Sequence, residues 1–257
     1  VNYEFKKGIA EIDMELQEGA PPQEVYENGR FPVAVRLTNN GAYDAQSVAV
    51  QLVGLNEKYL RVDRERADLS AFYGRSFDHP SGQSDVLLFN AVTGQLPTGS
   101  SGELQHYRVI TTYDYQTELV TDVCLNPHLY DVYDSGCKMA PISTSGQGSP
   151  LTITDIQTPI YQQPFIELRL KLVNQGKGKV KEARLNTAQL GQRPLQCEFR
   201  GGGEQTQTFD FEKKKVQEVD LLCRREIDPT RSFITPLTIL IDFTYERELP
   251  QQILIRK

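Results

Sequence analysis

The side chains most often used for nucleophilic catalysis are few and scattered in this sequence. Its 257 residues include only three histidines, His79, His106 and His128. His106 precedes Tyr107 in an alternating segment, so its side chain is expected on the solvent face of a strand. No serine stands in a Gly-x-Ser-x-Gly turn, the turn that exposes a nucleophile beside a histidine base. The sequence therefore predicts no catalytic residue, and we interpret the chain as a non-enzyme.

Two acidic loops could offer oxygen ligands to calcium. Asp78 and Asp85 flank a Ser-Gly turn, and Asp131 and Asp134 lie in a loop bounded by two cysteines. Neither loop has the twelve-residue calcium pattern with its central glycine and terminal glutamate, so these residues are weak candidates. No cofactor and no other metal site is expected.

A loop rich in aromatic side chains is the best candidate for recognising a ligand or a partner. Exposed aromatic rings combine a large apolar surface with a polar group, which suits the binding of glycans or proteins. The alternative is that these rings only pack the loop onto its own domain, while the nearby Tyr113 and Tyr115 belong to a core. The loop residues are Pro127, His128, Tyr130 and Tyr133.

The four cysteines fall into two close pairs. Their spacing lacks Cys-x-x-Cys and nearby histidines, which makes a zinc site a poor fit. We predict one disulfide between Cys124 and Cys137 and another between Cys197 and Cys223. Disulfides persist in oxidising compartments, so the pairs favour an extracellular or cell-surface protein. The alternative is four buried thiols in a cytosolic protein.

The elements that would position these residues are strands. Strict alternation of apolar and polar residues occurs around 31–37, 107–115 and 166–172, and a period of two is typical of half-buried strands. Turn residues rich in Gly, Asn and Pro separate these segments. Residues 61–73 are the best candidate for a short helix or turn, and Lys213, Lys214 and Lys215 for a hairpin end. The pattern predicts an antiparallel all-β protein.

An internal repeat sets the expected domain organisation. A shift of 135 residues places Val35, Leu37 and Asn39 over Leu170, Leu172 and Asn174, and a shift of 130 matches residues 109–125 to 239–255. Two matches in the same order indicate two copies of one fold. We predict two tandem immunoglobulin-like antiparallel β-sandwiches at 1–139 and 151–257, joined by a linker at 140–150 that is rich in Gly, Pro and Ser.

The repeated motif resembles a known family. Each copy has an apolar strand followed by Asn-x-Gly, at Asn39 to Gly41 and at Asn174 to Gly176. This hairpin is similar to the opening hairpin of CARDB-type and related immunoglobulin-like modules of prokaryotic cell-surface proteins, and residues 112–117 and 145–150 resemble predicted surface proteins of archaea. The resemblance implies spacers, stalks and adhesion or assembly units outside the cell. It implies nothing catalytic.

Composition limits the remaining functions. The 28 Lys and Arg against 34 Asp and Glu give a formal charge of −6, which offers no basic face for nucleic acid. No apolar stretch is long enough to span a membrane, and the start at Val1 is interpreted as a mature or trimmed product. The N-terminal run, residues 1–18, would pair within its own domain or be donated to a neighbour.

These observations lead to one hypothesis and two alternatives. We expect a non-enzymatic structural or adhesion protein of a cell-surface layer, stalk or filament, whose partners are other protein subunits, including copies of itself. The first alternative is an ectodomain that binds a glycan or a protein ligand through the Tyr-rich loop. The second is an accessory domain of a carbohydrate-active enzyme, which would need clustered carboxylates in a cleft.

Overall fold

The computed structural model of the chain describes residues 5–126, 137–162, 164–201, 207–227 and 232–257. The strands of the first half are β1 (Ile12–Leu16), β2 (Glu24–Tyr26), β3 (Arg30–Asn39), β4 (Ala45–Val53), β5 (Leu60–Val62), β6 (Arg66–Phe72), β7 (Ser84–Thr93) and β8 (Gly102–Leu125). Those that follow are β9 (Ile142–Ser143), β10 (Leu151–Ile156), β11 (Ile160–Gln162), β12 (Phe165–Asn174), β13 (Lys179–Leu190), β14 (Arg193–Pro194), β15 (Gln196–Phe199), β16 (Thr208–Asp210), β17 (Glu218–Glu226) and β18 (Phe233–Arg256). One described helix, α1 (Phe211–Lys214), precedes β17. The predicted all-β class is confirmed.

Alternation in the sequence explains why these segments form strands. In β3 the side chains of Phe31, Val33, Val35 and Leu37 are buried and Arg36 is exposed, as the period of two requires. Each buried apolar side chain contributes about 1.5 to 3 kcal/mol relative to exposure. The core face therefore fixes the register of the strand.

Two local predictions were wrong. Most of residues 61–73 lie in β5 and β6 instead of a short helix or turn, because β6 pairs with β4 and places Ala67 opposite Val50. The lysine run lies in and after α1 instead of at a hairpin end. Asp210 caps this helix by accepting a hydrogen bond from the N–H of Lys213 at 2.7 Å, and Lys215 ends it at a φ of 56°.

The described residues form two compact units. Unit 2 consists of Glu11–Asp114 and Glu246–Lys257. One of its sheets has the order β1-β3-β7-β5, and in the other β4 lies between β6 and β8. Since β1 pairs with β3, this part of the N-terminal run pairs inside its own unit. The buried core of unit 2 includes Val35, Val50, Phe72 and Phe89.

Unit 1 consists of Val1–Ala10 and Tyr115–Tyr245, as far as these are described. Its six-stranded sheet has the order β15-β17-β12-β10-β9, with β11 also paired to β12. In the eight-stranded sheet β13 lies between β14 and β18, and β18 is paired with β8. The core includes Ile153, Leu168, Phe243 and Tyr245.

The boundary between the units falls inside β8 and β18. The segment up to Asp114 of β8 belongs to unit 2, and the segment from Tyr115 belongs to unit 1. In β18 the chain passes the opposite way, from unit 1 to unit 2 after Tyr245. The sequential domains 1–139 and 151–257 expected from the repeat stay a prediction.

The segment 140–150, predicted as a linker, is packed in unit 1. Residues 142–143 form β9, which pairs with β10, and residues 146–150 are buried. The N–H of Gly148 donates a hydrogen bond to the carbonyl of Gly8 at 2.8 Å. Gly and Ser in this segment therefore serve close backbone packing.

The repeat appears in the local structure. A shift of 135 residues converts the bounds of β3 into those of β12. After each strand an asparagine accepts a hydrogen bond from the glycine two residues later, at 3.1 Å for Asn39 and 3.2 Å for Asn174. Each asparagine also donates to the carbonyl four residues later, at 2.9 Å in both turns. The Asn-x-Gly motif therefore builds the same turn twice.

A charge cluster on β12 makes unit 1 sensitive to acid. Burial alone would raise the pKa of Glu167, but its hydrogen bonds from Arg169 at 2.7 Å and Arg224 at 2.9 Å hold that pKa below the usual 4.5. The stabilisation is therefore present above about pH 4.5 and is lost as the pH falls through the lowered pKa. We expect Glu167→Gln to lower the free energy of unfolding by about 2 kcal/mol at pH 7. Urea unfolding at pH 7 and at pH 3 measures this difference.

The variant and the parent should converge as the pH falls below the lowered pKa of Glu167, because the protonated side chain has lost its ion pairs. Glu198→Gln, exposed on β15, is the matched control and should follow the parent throughout. A deficit for Glu167→Gln that stays constant down to the most acidic pH measured would show that packing, and not charge, is responsible.

Candidate functional site: a groove in unit 1

The histidines lie at separate places on the surface. His79 is exposed and stacks on Tyr73 with ring centroids 5.2 Å apart. His106 is exposed on β8 and the adjacent Tyr107 is buried, as the alternation predicts. His128 lies outside the described residues.

The calcium candidates in the described part are exposed side chains. Asp85 accepts a hydrogen bond from the N–H of Val86 at 2.8 Å, and Asp78 is exposed on the preceding turn. The nearby Asn90 pairs with Asp63 at 2.7 Å instead of with either of them. Asp131 and Asp134 lie outside the described residues. Within the described ranges, no group of three or more His, Cys, Asp or Glu is placed to hold a metal ion.

Both predicted disulfides are present. Cys124, near the end of β8, is bonded to Cys137. Cys197 of β15 and Cys223 of β17 are direct cross-strand partners with their Cα atoms 4.0 Å apart. Cys223 is fully buried. One bridge therefore closes the loop after β8, and the other joins two strands of the six-stranded sheet.

Removal of either bridge should destabilise unit 1. The bridges close loops with separations of 26 and 13 residues, and the chain-entropy relation gives about 3.5 and about 3 kcal/mol. We expect Cys197→Ala with Cys223→Ala, and Cys124→Ala with Cys137→Ala, to lower the free energy of unfolding by these amounts. Urea unfolding with and without reductant measures the loss.

Reductant should bring the parent down to the stability of the chain that lacks both bridges, and it should leave that chain unchanged. A parent whose unfolding midpoint is the same in both conditions would contradict the expected contribution of the bridges.

The tyrosines divide between the core and the loop. Tyr113 and Tyr115 are buried, which confirms the core interpretation for these two. Tyr107 is buried as well, and desolvation raises its pKa to about 12. The loop residues Pro127, His128, Tyr130 and Tyr133 lie outside the described residues, so their role in binding stays a prediction.

A groove in the described part of unit 1 that could accept a ligand lies between β8 and the segment around β9. It has a volume of about 540 Å³. One wall consists of residues 118–121, and the other of residues 142–147. Lys6 lies at the groove and forms an ion pair with Glu118. The groove therefore combines apolar side chains with a neutralised pair of charges.

Gln147 holds the second wall in place. Its amide group accepts a hydrogen bond from the N–H of Ile153 at 2.9 Å and donates to the carbonyl of the same residue at 3.1 Å. It also donates to the hydroxyl of Thr144 at 2.9 Å. Gly146 has a φ of 92°, and a Cβ there would lie 2.4 Å from the carbonyl oxygen of Gly8. Only glycine fits this approach, so the wall depends on the residues that composition assigned to a linker.

The surface of the groove can bind but offers little acid or base chemistry. Val120 is half exposed, and Ile142 and Thr121 are partly exposed beside it. The hydroxyl of Ser143 is bonded to Asp155 at 3.2 Å. An apolar base with a hydroxyl rim suits an extended polypeptide or a sugar ring. The alternation along β8 places Val120 on the face opposite the buried side chains, so an exposed valine could be recognised from the sequence. The opposite wall of the groove has no recognisable sequence motif.

Comparisons with known proteins give no family. No protein-family model matches the chain, and no curated protein is similar enough to match. Among solved structures, the crystal structure of the E. coli chaperone DraB is aligned over 88% of this chain and 86% of that chain. The identity is 9% and the TM-score is 0.23. This likeness is too slight to support a conclusion on fold or function.

Proposed function

We propose that the chain is a non-enzymatic structural or adhesion protein outside the cytoplasm, a component of a surface layer, stalk or filament held together by protein contacts. The observation that carries the proposal is the way its units are built. Each unit combines two distant stretches of the chain, and β8 and β18 run through both. Two strands therefore connect the units, which supports a structural role.

The disulfides support an extracellular location within this proposal. The bridge between Cys197 and Cys223 joins paired strands in a buried position, and such bridges accumulate where the environment is oxidising. In the same proposal, the repeated Asn-x-Gly turns, each of which connects strands of two different sheets, belong to two immunoglobulin-like modules of the CARDB type that serve spacing and attachment.

The test measures self-association and location together. The chain is expressed with an export signal, and its sedimentation is recorded over a wide concentration range with and without reductant. We expect concentration-dependent association in the oxidised form and enrichment in the cell-envelope fraction of the source organism. A monomer at every concentration that is recovered from the cytoplasm with free thiols would contradict the proposal.

Ligand binding is the second candidate, and the groove in unit 1 favours it. Val120 is 49% exposed on one wall, so Val120→Asp should remain folded while it disrupts an apolar contact. Screening against glycans and extended peptides should show binding that this variant loses, with an unchanged melting temperature.

The double variant Tyr130→Ala with Tyr133→Ala tests the aromatic loop separately. Its melting temperature must also stay unchanged for a loss of binding to be assigned to the loop.

A further inference from the structure

Two arginines of unit 1 lie beside the turn that joins β13 to β14. Arg193 of β14 is the direct cross-strand partner of Leu190 on β13. Arg225 of β17, in the six-stranded sheet, donates a hydrogen bond from its guanidinium to the carbonyl of Leu190 at 3.1 Å. The turn itself is held by the N–H of Gly191, which donates to the carbonyl of Pro236 at 2.7 Å. Both arginines line one pocket with a volume of about 410 Å³, so their charges share the same space.

Arg225 lies on the core face of its sheet. The register of β17 places it opposite Ile166 of β12, which is fully buried. Alternation along β17 puts it on the same face as Leu221 and Cys223, which are fully buried as well. Its own side chain is partly exposed. The cation therefore lies at the margin of the core, where solvent and a small ligand reach it.

The two positive charges have no carboxylate partner among the described residues. Burial, and after it the positive charge of Arg193, lowers the pKa of Arg225, and no described acid offsets these two causes. The neighbouring Arg224 differs, because it points to the other face of β17 and pairs with Glu167. A cation at the margin of a core is unfavourable unless an opposite charge compensates it. The pair of arginines therefore provides a place where an anion is stabilised.

The other side chains of the pocket are largely apolar. Phe233, at the start of β18, is 42% exposed, and Ile227, just after β17, is 8% exposed. The pocket therefore places an accessible aromatic ring and an aliphatic surface beside the two guanidinium groups. An aromatic ring packs well against another ring or an aliphatic group. A ligand that carries an apolar group next to its negative charge would contact both parts of the pocket.

We propose that the pocket formed by Arg193, Arg225, Ile227 and Phe233 binds an organic oxyanion, a carboxylate or a phosphate group joined to an apolar group. Arginine suits this ligand because its planar fork of N–H donors matches the oxygens of a carboxylate or a phosphate. The bound anion would lie between the two guanidinium groups and compensate their repulsion, while its apolar group would pack on Phe233. The site goes beyond the proposed structural role and does not depend on it.

The test follows the arginine Nε–H signals of the full-length chain, labelled with ¹⁵N-arginine, by NMR. The chain is titrated with benzoate, with phenyl phosphate and with benzyl alcohol, and sodium chloride keeps the ionic strength constant. The signals of Arg193 and Arg225 are assigned from the variants that lack each side chain. We expect saturable shifts of both signals with at least one of the two anions, and none with benzyl alcohol, which has the ring without the charge. The anion that saturates at the lower concentration identifies the preferred group.

Arg193→Gln is the decisive variant, because Arg193 is exposed and its replacement should leave the fold intact. We expect it to raise the dissociation constant of the better anion at least about tenfold, since hydrogen bonds to a charged group are lost. Arg184→Gln, exposed on β13 outside the pocket, removes the same charge and is the matched control. It should bind as the parent does. Phe233→Ala should weaken binding at least about twofold through loss of the ring contact.

Three results would overturn the site. Shifts that grow without saturation and are equal in the parent, Arg193→Gln and Arg184→Gln would show only general screening of surface charge. An unchanged dissociation constant in Arg193→Gln would mean that the anion does not lie between the two arginines. Benzyl alcohol that binds as well as the anions would show that the pocket recognises the ring alone. Each of these results leaves the structural role standing, because sedimentation of the chain tests that role separately.

Discussion

Replacing Asn39 with alanine is expected to lower the free energy of unfolding by about 3 to 5 kcal/mol. Asn39 is fully buried. Its amide nitrogen donates to the carbonyls of Tyr43 and Phe72, each at 2.9 Å, and its oxygen accepts the N–H of Gly41 at 3.1 Å. Alanine removes the hydrogen bonds that the side chain makes to these three backbone groups, and each buried unsatisfied group costs about 1 to 3 kcal/mol. Urea unfolding of the variant measures the loss.

Asn174 supplies the matched control, because it occupies the same place in the second copy of the turn. It also makes three hydrogen bonds, to Gly176, Gly178 and the side chain of Gln217. Its turn is partly exposed, so water can replace the lost partners. We expect Asn174→Ala to lower the free energy of unfolding by about 1 kcal/mol. Equal losses at the two positions would show that burial of the first turn is not what makes Asn39 important.

A second substitution at the same site distinguishes the two roles of the amide. Asn39→Asp keeps the oxygen that accepts from Gly41 but removes the donor to Tyr43 and Phe72, and it places a charge in a buried position. We expect it to be at least as damaging as alanine above the pKa of the new carboxyl. Stability close to that of the parent would mean that the two donated bonds contribute little.

The sequence predicts the local structure of these turns because the interactions are local. The Asn-x-Gly motif and the apolar alternation before it place the ends of β3 and β12 correctly. The all-β class follows from the same period of two. The sequence could not predict that Asn39 is buried while Asn174 is partly exposed. Asn39 is covered by residues distant in the sequence, such as Phe72, whose carbonyl accepts its hydrogen bond.

The composition of the units is harder to predict because it depends on partner choice. The alternation of residues 109–125 matches that of 239–255 and correctly indicates two long strands. Nothing in that alternation says that the strand passes from one unit to another after Asp114 or Tyr245. Strand pairing is decided by distant residues, so a periodic segment fits a partner from its own half or from the other half equally well.

The candidate site shows the same limit. The disulfides were predictable from spacing, since Cys197 and Cys223 fall at matching positions on two strands that pair. The wall of the groove could not be predicted, because Gly146 and Gln147 lie in a segment whose composition is typical of linkers. Their role depends on Gly8 and Ile153, which approach them only in the folded chain.

Arg247 gives the second large expected effect, because it forms a nearly buried ion pair on β18. Its side chain is 14% exposed and that of Glu11 is 8% exposed, and Asp13 lies 3.6 Å from the same guanidinium. We expect Arg247→Met to lower the free energy of unfolding of unit 2 by about 3 to 5 kcal/mol, since it removes the cation that is paired with a largely buried carboxylate. Chemical unfolding, with hydrogen exchange along β18, measures the loss and locates it.

Arg256→Met on the same strand is the matched control. Its pair with Glu24 is about half exposed at both side chains, and water screens exposed pairs, so the loss of stability should be small. The double variant Glu11→Gln with Arg247→Met removes both buried charges, and it should recover part of the stability that the single variant loses. If the double variant is as unstable as the sum of the two single variants, the pair is not coupled. In that case the C-terminal part of β18 is anchored by its strand pairing and by the burial of Ile253 and Ile255.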